Sequence, residues 1–204
     1  MSARTDTPAA SASPLGPSRT GLSSFALKVV AIVGMTFNHA CYLFYPYLPV
    51  EAQCVLFGVG GLTFPIMAFL LVEGYRHTSS IERYAGRLLA FALVAQVPYG
   101  LFLARNFNVL FTLLIGLTIL HARDRMQDRV QFWIAAAALT AVSALCDWGI
   151  IGPLMILMMQ TIPERRQRII LPLLVPILGT GLPALSDYLA SFDLTLLPFA
   201  LYPL

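Results

Sequence analysis

The chain has 204 residues, of which 58% are hydrophobic and 11% charged, with 13 basic and 10 acidic residues and a net charge of +3. A water-soluble domain carries about 25% charged residues, so this chain is too poor in charge to cover a surface in water. It is too rich in apolar residues to be disordered. The expected class is an all-α polytopic membrane protein, and the small, dispersed positive charge argues against a nucleic-acid partner.

Residues 1–24 are rich in Ser, Pro, Ala, Thr and Gly and have no apolar face. They read as a disordered tail ahead of one membrane domain over residues 25–204. The first apolar run starts late, contains Lys28 and is followed by no small-residue cleavage site, so a signal peptide is not expected. Apolar segments then follow at 25–45, 55–74, 84–103, 107–122, 130–146, 148–163, 169–190 and 194–204. A span needs about 20 residues. The first three and the seventh reach that length, the fourth to sixth fall short, and the last is an optional crossing.

Charge placement decides the short ones. The basic residues fall into four groups of three: Arg4, Arg19 and Lys28; Arg76, Arg83 and Arg87; Arg123, Arg125 and Arg129; Arg165, Arg166 and Arg168. These groups flank alternate loops, and Arg105 alone stands in the others beside Glu51, Asp147, Asp187 and Asp193. The positive-inside rule then gives a helical bundle of about seven or eight transmembrane helices with a cytoplasmic N-terminus. The prolines in or beside the apolar runs (Pro65, Pro98, Pro153, Pro172, Pro176 and Pro183) are breaks that membrane helices tolerate. Gly58, Gly60 and Gly61 permit close helix contact.

Ionisable and amide groups within apolar runs carry the functional information, because such groups are costly in a bilayer. His39, preceded by Asn38, lies about two thirds of the way along the first segment. It is either a proton carrier, since imidazole alone titrates near neutrality, or a neutral imidazole bonded to a neighbouring helix. Glu73 closes the second segment, four residues before His77 and so on the same helix face. Arg76, His77, Arg83 and Arg87 form either a cytoplasmic anchor or a basic mouth for a phosphorylated ligand, because guanidinium pairs well with phosphate. Gln96, Asn108, Thr112 and Asp147 either line a cavity or bond between helices, and Asp147 in its short turn also suits a helix N-cap. The three cysteines show no metal-type spacing, so no metal is expected. No P-loop, H-E-x-x-H or G-x-S-x-G motif is present.

Several of these residues stand in blocks that resemble the TraX family. They are the run 27–35 followed by Asn38-His39, the block 64–78 ending in Glu73-Gly-Tyr-Arg76-His77-Thr78, Arg83-Tyr84-x-x-Arg87-Leu88, the run 108–113, and Asp147-Trp-Gly-Ile-Ile-Gly152. The resemblance runs from about residue 25 to the end of the chain. It implies an inner-membrane protein of conjugative systems that N-acetylates the amino terminus of the pilin subunit with acetyl-CoA as co-substrate. In that reading His39 is the general base, Asn38 and Glu73 assist it, and Arg76, His77, Arg83 and Arg87 receive the CoA. The family usually has Asp-His where this chain has Asn38-His39, and it tends to continue past a Tyr-Pro into a further histidine where this chain has Tyr202-Pro203-Leu204. These departures keep open a non-enzymatic role as a membrane assembly factor for pilin or the conjugation apparatus. A proton-coupled transporter would also use a buried histidine and a carboxylate, but the sequence lacks the internal repeat such folds show.

Overall fold

The computed structural model describes residues 23–104 and 106–201. The expected disordered tail therefore lies outside the described residues apart from Ser23 and Ser24. So do Arg105 and Tyr202-Pro203-Leu204.

The regular elements of the described residues are helices: α1 (Ser24–Phe44), α2 (Val50–Gly61), α3 (Thr63–His77), α4 (Ile81–Phe102), α5 (Val109–Arg125), α6 (Arg129–Ser143), α7 (Ile151–Thr161), α8 (Arg165–Pro176), α9 (Leu182–Ser191) and the short α10 (Leu197–Leu201). Polar side chains fix the starts of five of them. Ser23, Ser80, Asn108, Asp128 and Glu164 accept bonds from backbone N–H groups of the first turns of α1, α4, α5, α6 and α8. Each cap satisfies a donor that the helix itself cannot, which matters most where no water is at hand.

Four continuous rods are long and apolar enough to cross a bilayer: Ser24–Tyr47, Val50–His77, Ile81–Phe102 and Arg165–Ser191. With α5, α6 and α7 they make seven crossings, and α10 folds back against α2. The second rod begins at Val50, five residues before the expected start, because Glu51 and Gln53 sit within its first turn. Gln53 is satisfied there by donating to the carbonyls of Tyr45 at 3.1 Å and Leu48 at 2.9 Å. The rod breaks at Leu62, between α2 and α3. The fourth rod is interrupted by Pro172 and Pro176 and widens into a single π-type turn over Ile177–Gly181. Proline removes a backbone donor, and the wide turn re-pairs the carbonyls it leaves.

The weave follows the charge pattern. At one end of the bundle the Arg76 guanidinium of α3 donates from Nε to Gln160 Oε1 of α7 at 2.9 Å. At the same end Tyr75 donates to Asp124 of α5 at 2.5 Å. We call this the basic end and the other the far end. At the far end Phe107 and Cys146 form an isolated parallel bridge, with Phe107 N–H on Leu145 O at 3.0 Å and Asp147 N–H on Phe107 O at 2.8 Å.

The core is built by α3, α5 and α7. Phe64, Ala68, Leu71 and Val72 pack with Leu113, Leu117 and Leu120 and with Met155, Ile156 and Met159. Two glycines allow the close approach. A Cβ at Gly116 would run into Ile156, and one at Gly152 would run into Thr112 and, at 2.9 Å, into the Phe64 ring. The second rod is the most enclosed of the four, with 39% of its apolar window buried, and α4 the least, with 11%. The peripheral helices present large apolar side chains outward, including Val94 and Leu101 of α4, as a lipid-facing surface requires.

Candidate functional site

His39 projects from α1 eleven residues beyond Lys28, about 16 Å along the helix at 1.5 Å per residue. It is half-buried, and its ring meets the edge of Tyr99 of α4 at a centroid distance of 6.1 Å and an interplanar angle of 63°. Cavities open on either side of it. The cavity towards the basic end has a volume of about 520 Å³ and is lined by Lys28, His77 and Arg87 at its mouth and by Met35, Met67 and Leu113 within. The cavity towards the far end has a volume of about 430 Å³ and is lined by Tyr42, Asp147, Trp148, Pro176 and Thr180 among others. Met35, His39 and Tyr42 follow the i, i+4, i+7 spacing of one helix stripe. The histidine thus sits on α1 between a residue of one cavity and a residue of the other.

Asp147 reaches its cavity because α7 is short. Eleven residues make about 16 Å of helix, roughly half of the ~30 Å hydrocarbon core, so the 144–150 turn is drawn into the bundle. Trp148 stacks on Phe64 at 4.3 Å and 13°. Gly149 takes a φ of 42°, a value favoured by glycine, and Ser143 Oγ, fully buried, donates to its carbonyl at 2.8 Å. The turn is therefore rigidly placed, and the carboxylate of Asp147 opens into the cavity. The Tyr99 hydroxyl donates to Asn106 Oδ1 at 3.3 Å, and the Asp147 carboxylate lies within its electrostatic reach. His39, Tyr99 and Asp147, from three different elements, form one cluster.

Of the residues expected to serve a site, His39 and Asp147 meet in this cluster through Tyr99, and His77 and Arg87 meet at the basic mouth. The others have different tasks. Asn38 does not orient His39. Consecutive helix residues do not face the same way, and Asn38 is turned into the α1–α2 contact, where a Cβ at Gly60 would lie 2.7 Å from its Cβ. Glu73 lies one turn from the basic end of α3 and pairs with Arg76 at 3.2 Å, so it is not brought to the histidine. Arg76 is occupied by Glu73 and Gln160 and ties α3 to α7. Arg83 is exposed and lines neither cavity. The His77 ring donates from Nδ1 to the Glu73 carbonyl at 2.8 Å, a bond that fixes the tautomer because a carbonyl only accepts. Gln96 and Asn108 hold the 103–108 loop: Gln96 Oε1 accepts from the Asn108 backbone N–H at 2.9 Å and side-chain amide at 3.0 Å, and Asn108 also donates to Ala92 O at 2.8 Å. Thr112 is fully buried, with its methyl on Gly152 and its hydroxyl beside the Cys146 thiol. Asp147 caps no helix; the N-cap of α7 is Ile150, with no side-chain bond.

Lys28, Tyr42 and Tyr99 are functional candidates that sequence reasoning passed over. For Tyr99 a signal existed: Gln96 and Tyr99, three apart, put two polar groups on one stripe of an otherwise apolar helix.

Fold and site together define a multi-pass helical membrane protein with a basic cavity towards one end, an acidic one towards the other, and His39 on α1 between Met35 of the first and Tyr42 of the second. The chain belongs to the TraX family, whose model, described as TraX protein, matches residues 23–202. It is similar to the probable fimbrial assembly protein FimC, serogroup H1, of Dichelobacter nodosus, with 35% identity over 180 residues that cover 81% of this chain and 72% of that one. No solved structure matches.

Proposed function

We propose that this protein is an inner-membrane acetyltransferase that transfers acetyl from acetyl-CoA to the amino terminus of a pilin subunit, with His39 as general base. The observation that carries the reading is the place of His39 between two cavities of opposite character. Lys28 and Arg87 supply cations for the phosphates of a CoA at the basic, cytoplasmic end. Met35, Met67, Leu71 and Leu113 supply an apolar wall along which a pantetheine arm can lie. Met35 is one helical turn from His39, so that wall leads towards the imidazole.

In the chemistry this arrangement serves, the amine nitrogen attacks the thioester carbonyl carbon, the C–N bond forms and the C–S bond breaks. His39 takes the proton from the amine and returns it to the departing thiolate, so the enzyme ends as it began. Tyr99 packs against the imidazole and limits its rotation.

The test is the intact mass of mature pilin from cells carrying the wild-type protein or His39→Ala. An acetyl mass with the wild type and its loss with the variant is the expected result. An acetyl mass that persists in the variant removes His39 from the mechanism, and none with the wild type removes pilin as the acceptor.

A second reading is supported by the similarity to a probable fimbrial assembly protein and by the commitment of Glu73 to Arg76. In it the chain is a non-enzymatic assembly factor that holds pilin in the membrane. It predicts co-purification with pilin and no acetyl-CoA binding, so saturable binding of acetyl-CoA to the purified protein would reject it.

A further inference from the structure

Among the described residues that line the far cavity, Asp147 is the one charged group and none is a lysine or arginine. Among the described residues Asp147 has no ion-pair partner, since the one ion pair found there joins Arg76 and Glu73. An ionised carboxylate in a cavity of this kind is costly without a counter-charge. Two aromatic side chains, Tyr42 and Trp148, stand in the same wall. Aromatic faces attract cations and repel anions. The carboxylate's neighbour Tyr99 is neutral, and the turn does not need an acid to be held in place. The turn is already fixed by Ser143, by the backbone bonds of Phe107 and by the stacking of Trp148 on Phe64. The recessed position of the turn keeps the group away from bulk water. The Pro176 and Thr180 side of the cavity belongs to the stretch where the fourth rod loses its regular helical bonding, so the wall opposite the carboxylate is not a tightly packed helix face.

We infer that the cavity bounded by Asp147, Tyr42 and Trp148 is a binding site for a primary ammonium group arriving from the far end of the bundle, with Asp147 as the counter-ion that selects it. In the acetyl-transfer reading, on which the use of this site rests, the group is the amino terminus of the acceptor polypeptide, which gives up one proton to the Asp147 carboxylate, and from there to water, before its nitrogen attacks. Binding there brings the nitrogen into the cluster that Tyr99 shares with His39. The binding itself does not depend on that reading. It makes Asp147 the residue that distinguishes an acceptor with a free amine from one with a hydroxyl, because a neutral hydroxyl leaves the carboxylate unpaired.

The experiment uses full-length purified protein and no acetyl-CoA. n-Butylammonium, n-butanol and butanoate are titrated in turn and followed by calorimetry. In a Trp133→Phe background the fluorescence of Trp148, then the only tryptophan, is also recorded. The expected result is saturable binding of butylammonium with a Trp148 response, no binding of butanoate, and butanol weaker by tenfold or more. Asp147→Asn, which keeps the shape of the side chain, should lose tenfold or more in ammonium affinity. Asp147→Glu should retain measurable binding, and Arg76→Ala, at the opposite end of the bundle, should bind as the wild type does. No saturable ammonium binding by calorimetry overturns the inference, as does equal binding by Asp147→Asn. Ammonium binding in a protein that acetylates nothing would leave this site standing and refute the acetyl-transfer reading. Acetylation with an unchanged KM for the acceptor in Asp147→Asn would do the reverse.

Discussion

The cavity at the basic end has Lys28, His77 and Arg87 over a floor of methionine and leucine, whereas the far cavity has a single carboxylate among Tyr42 and Trp148. Both are bounded by α1, and the stripe that holds Met35, His39 and Tyr42 passes from one to the other. The contrast in charge shows that the two ends of the bundle offer different chemistry along one face of α1, cationic at one cavity and anionic at the other, and it is this difference that the two-substrate reading uses. A transporter, by comparison, needs one site that is reached in turn from both sides.

Four perturbations test that contrast. The largest effect is expected for His39→Ala, which removes the imidazole that lies on α1 between the two cavities. Acetyl transfer should fall by about 10²–10⁴-fold, the usual worth of a positioned general base, while the melting temperature changes little, since the ring makes only an edge contact with Tyr99. Rates from pilin mass against time, with melts of the same preparations, check both parts. Gly152→Ala comes next. It drives a methyl into Thr112 and the Phe64 ring beneath Trp148 and should cost about 1–3 kcal/mol, as overpacked cores do. Thermal or denaturant melts in detergent measure that loss, and an unchanged melt would show that the packing of α7 on α3 and α5 is softer than described.

The two cavities separate most cleanly in the third case. Lys28→Ala combined with Arg87→Ala should raise the KM for acetyl-CoA about tenfold or more, a loss in keeping with removed charge-assisted bonds, and leave the KM for the acceptor alone. Arg76→Ala, by contrast, should leave the KM for acetyl-CoA unchanged and lower stability by at most about 1 kcal/mol, the range of exposed ion pairs. Steady-state kinetics on both substrates distinguish these outcomes, and a KM effect from Arg76 alone would move the CoA site towards α7. The smallest effect concerns Asp193, outside both cavities. Its carboxylate accepts the Thr195 hydroxyl at 2.7 Å and the Thr195 N–H at 2.9 Å, and these donors hold its pKa below the ordinary carboxylate value. A lowered folded-state pKa contributes stability above the unfolded value of about 3.9 and loses it as pH falls through the folded one. Asp193→Ala should therefore melt slightly below the wild type near neutral pH and match it in acid.

Much of this architecture was legible in the residues. Eight apolar segments correspond to the seven rods and the short return of α10, and the grouping of arginines alternates with the observed weave. His39 stands out because an ionisable group in an apolar run has few other reasons to be there. The rest was hidden for definite reasons. Asn38 and His39 are neighbours in the chain, yet a helix turns them to different neighbours, so adjacency gave the wrong pairing. Glu73 and His77 do share a face, but the helix ends there, and a shared face says nothing about depth. Gln96 and Asn108 are twelve residues apart and bond across a loop whose shape no pattern encodes. Asp147 meets Tyr99 only because α7 is short and its turn sinks into the bundle, a fact set by packing of Trp148 on Phe64 rather than by any local signal.

The bridge between Phe107 and Cys146 has a consequence for how the protein comes into being. Its two strands are made nearly forty residues apart, with α5 and α6 between them. A chain emerging from the ribosome places His39 and Tyr99 in the membrane early, but the Asp147 turn can be seated only after α6 has crossed and returned Cys146 to Phe107. The far cavity is thus closed by a late event in insertion. A chain stalled before that point carries the histidine without its acidic neighbour, which makes completion of the bundle a built-in condition for assembling the cluster.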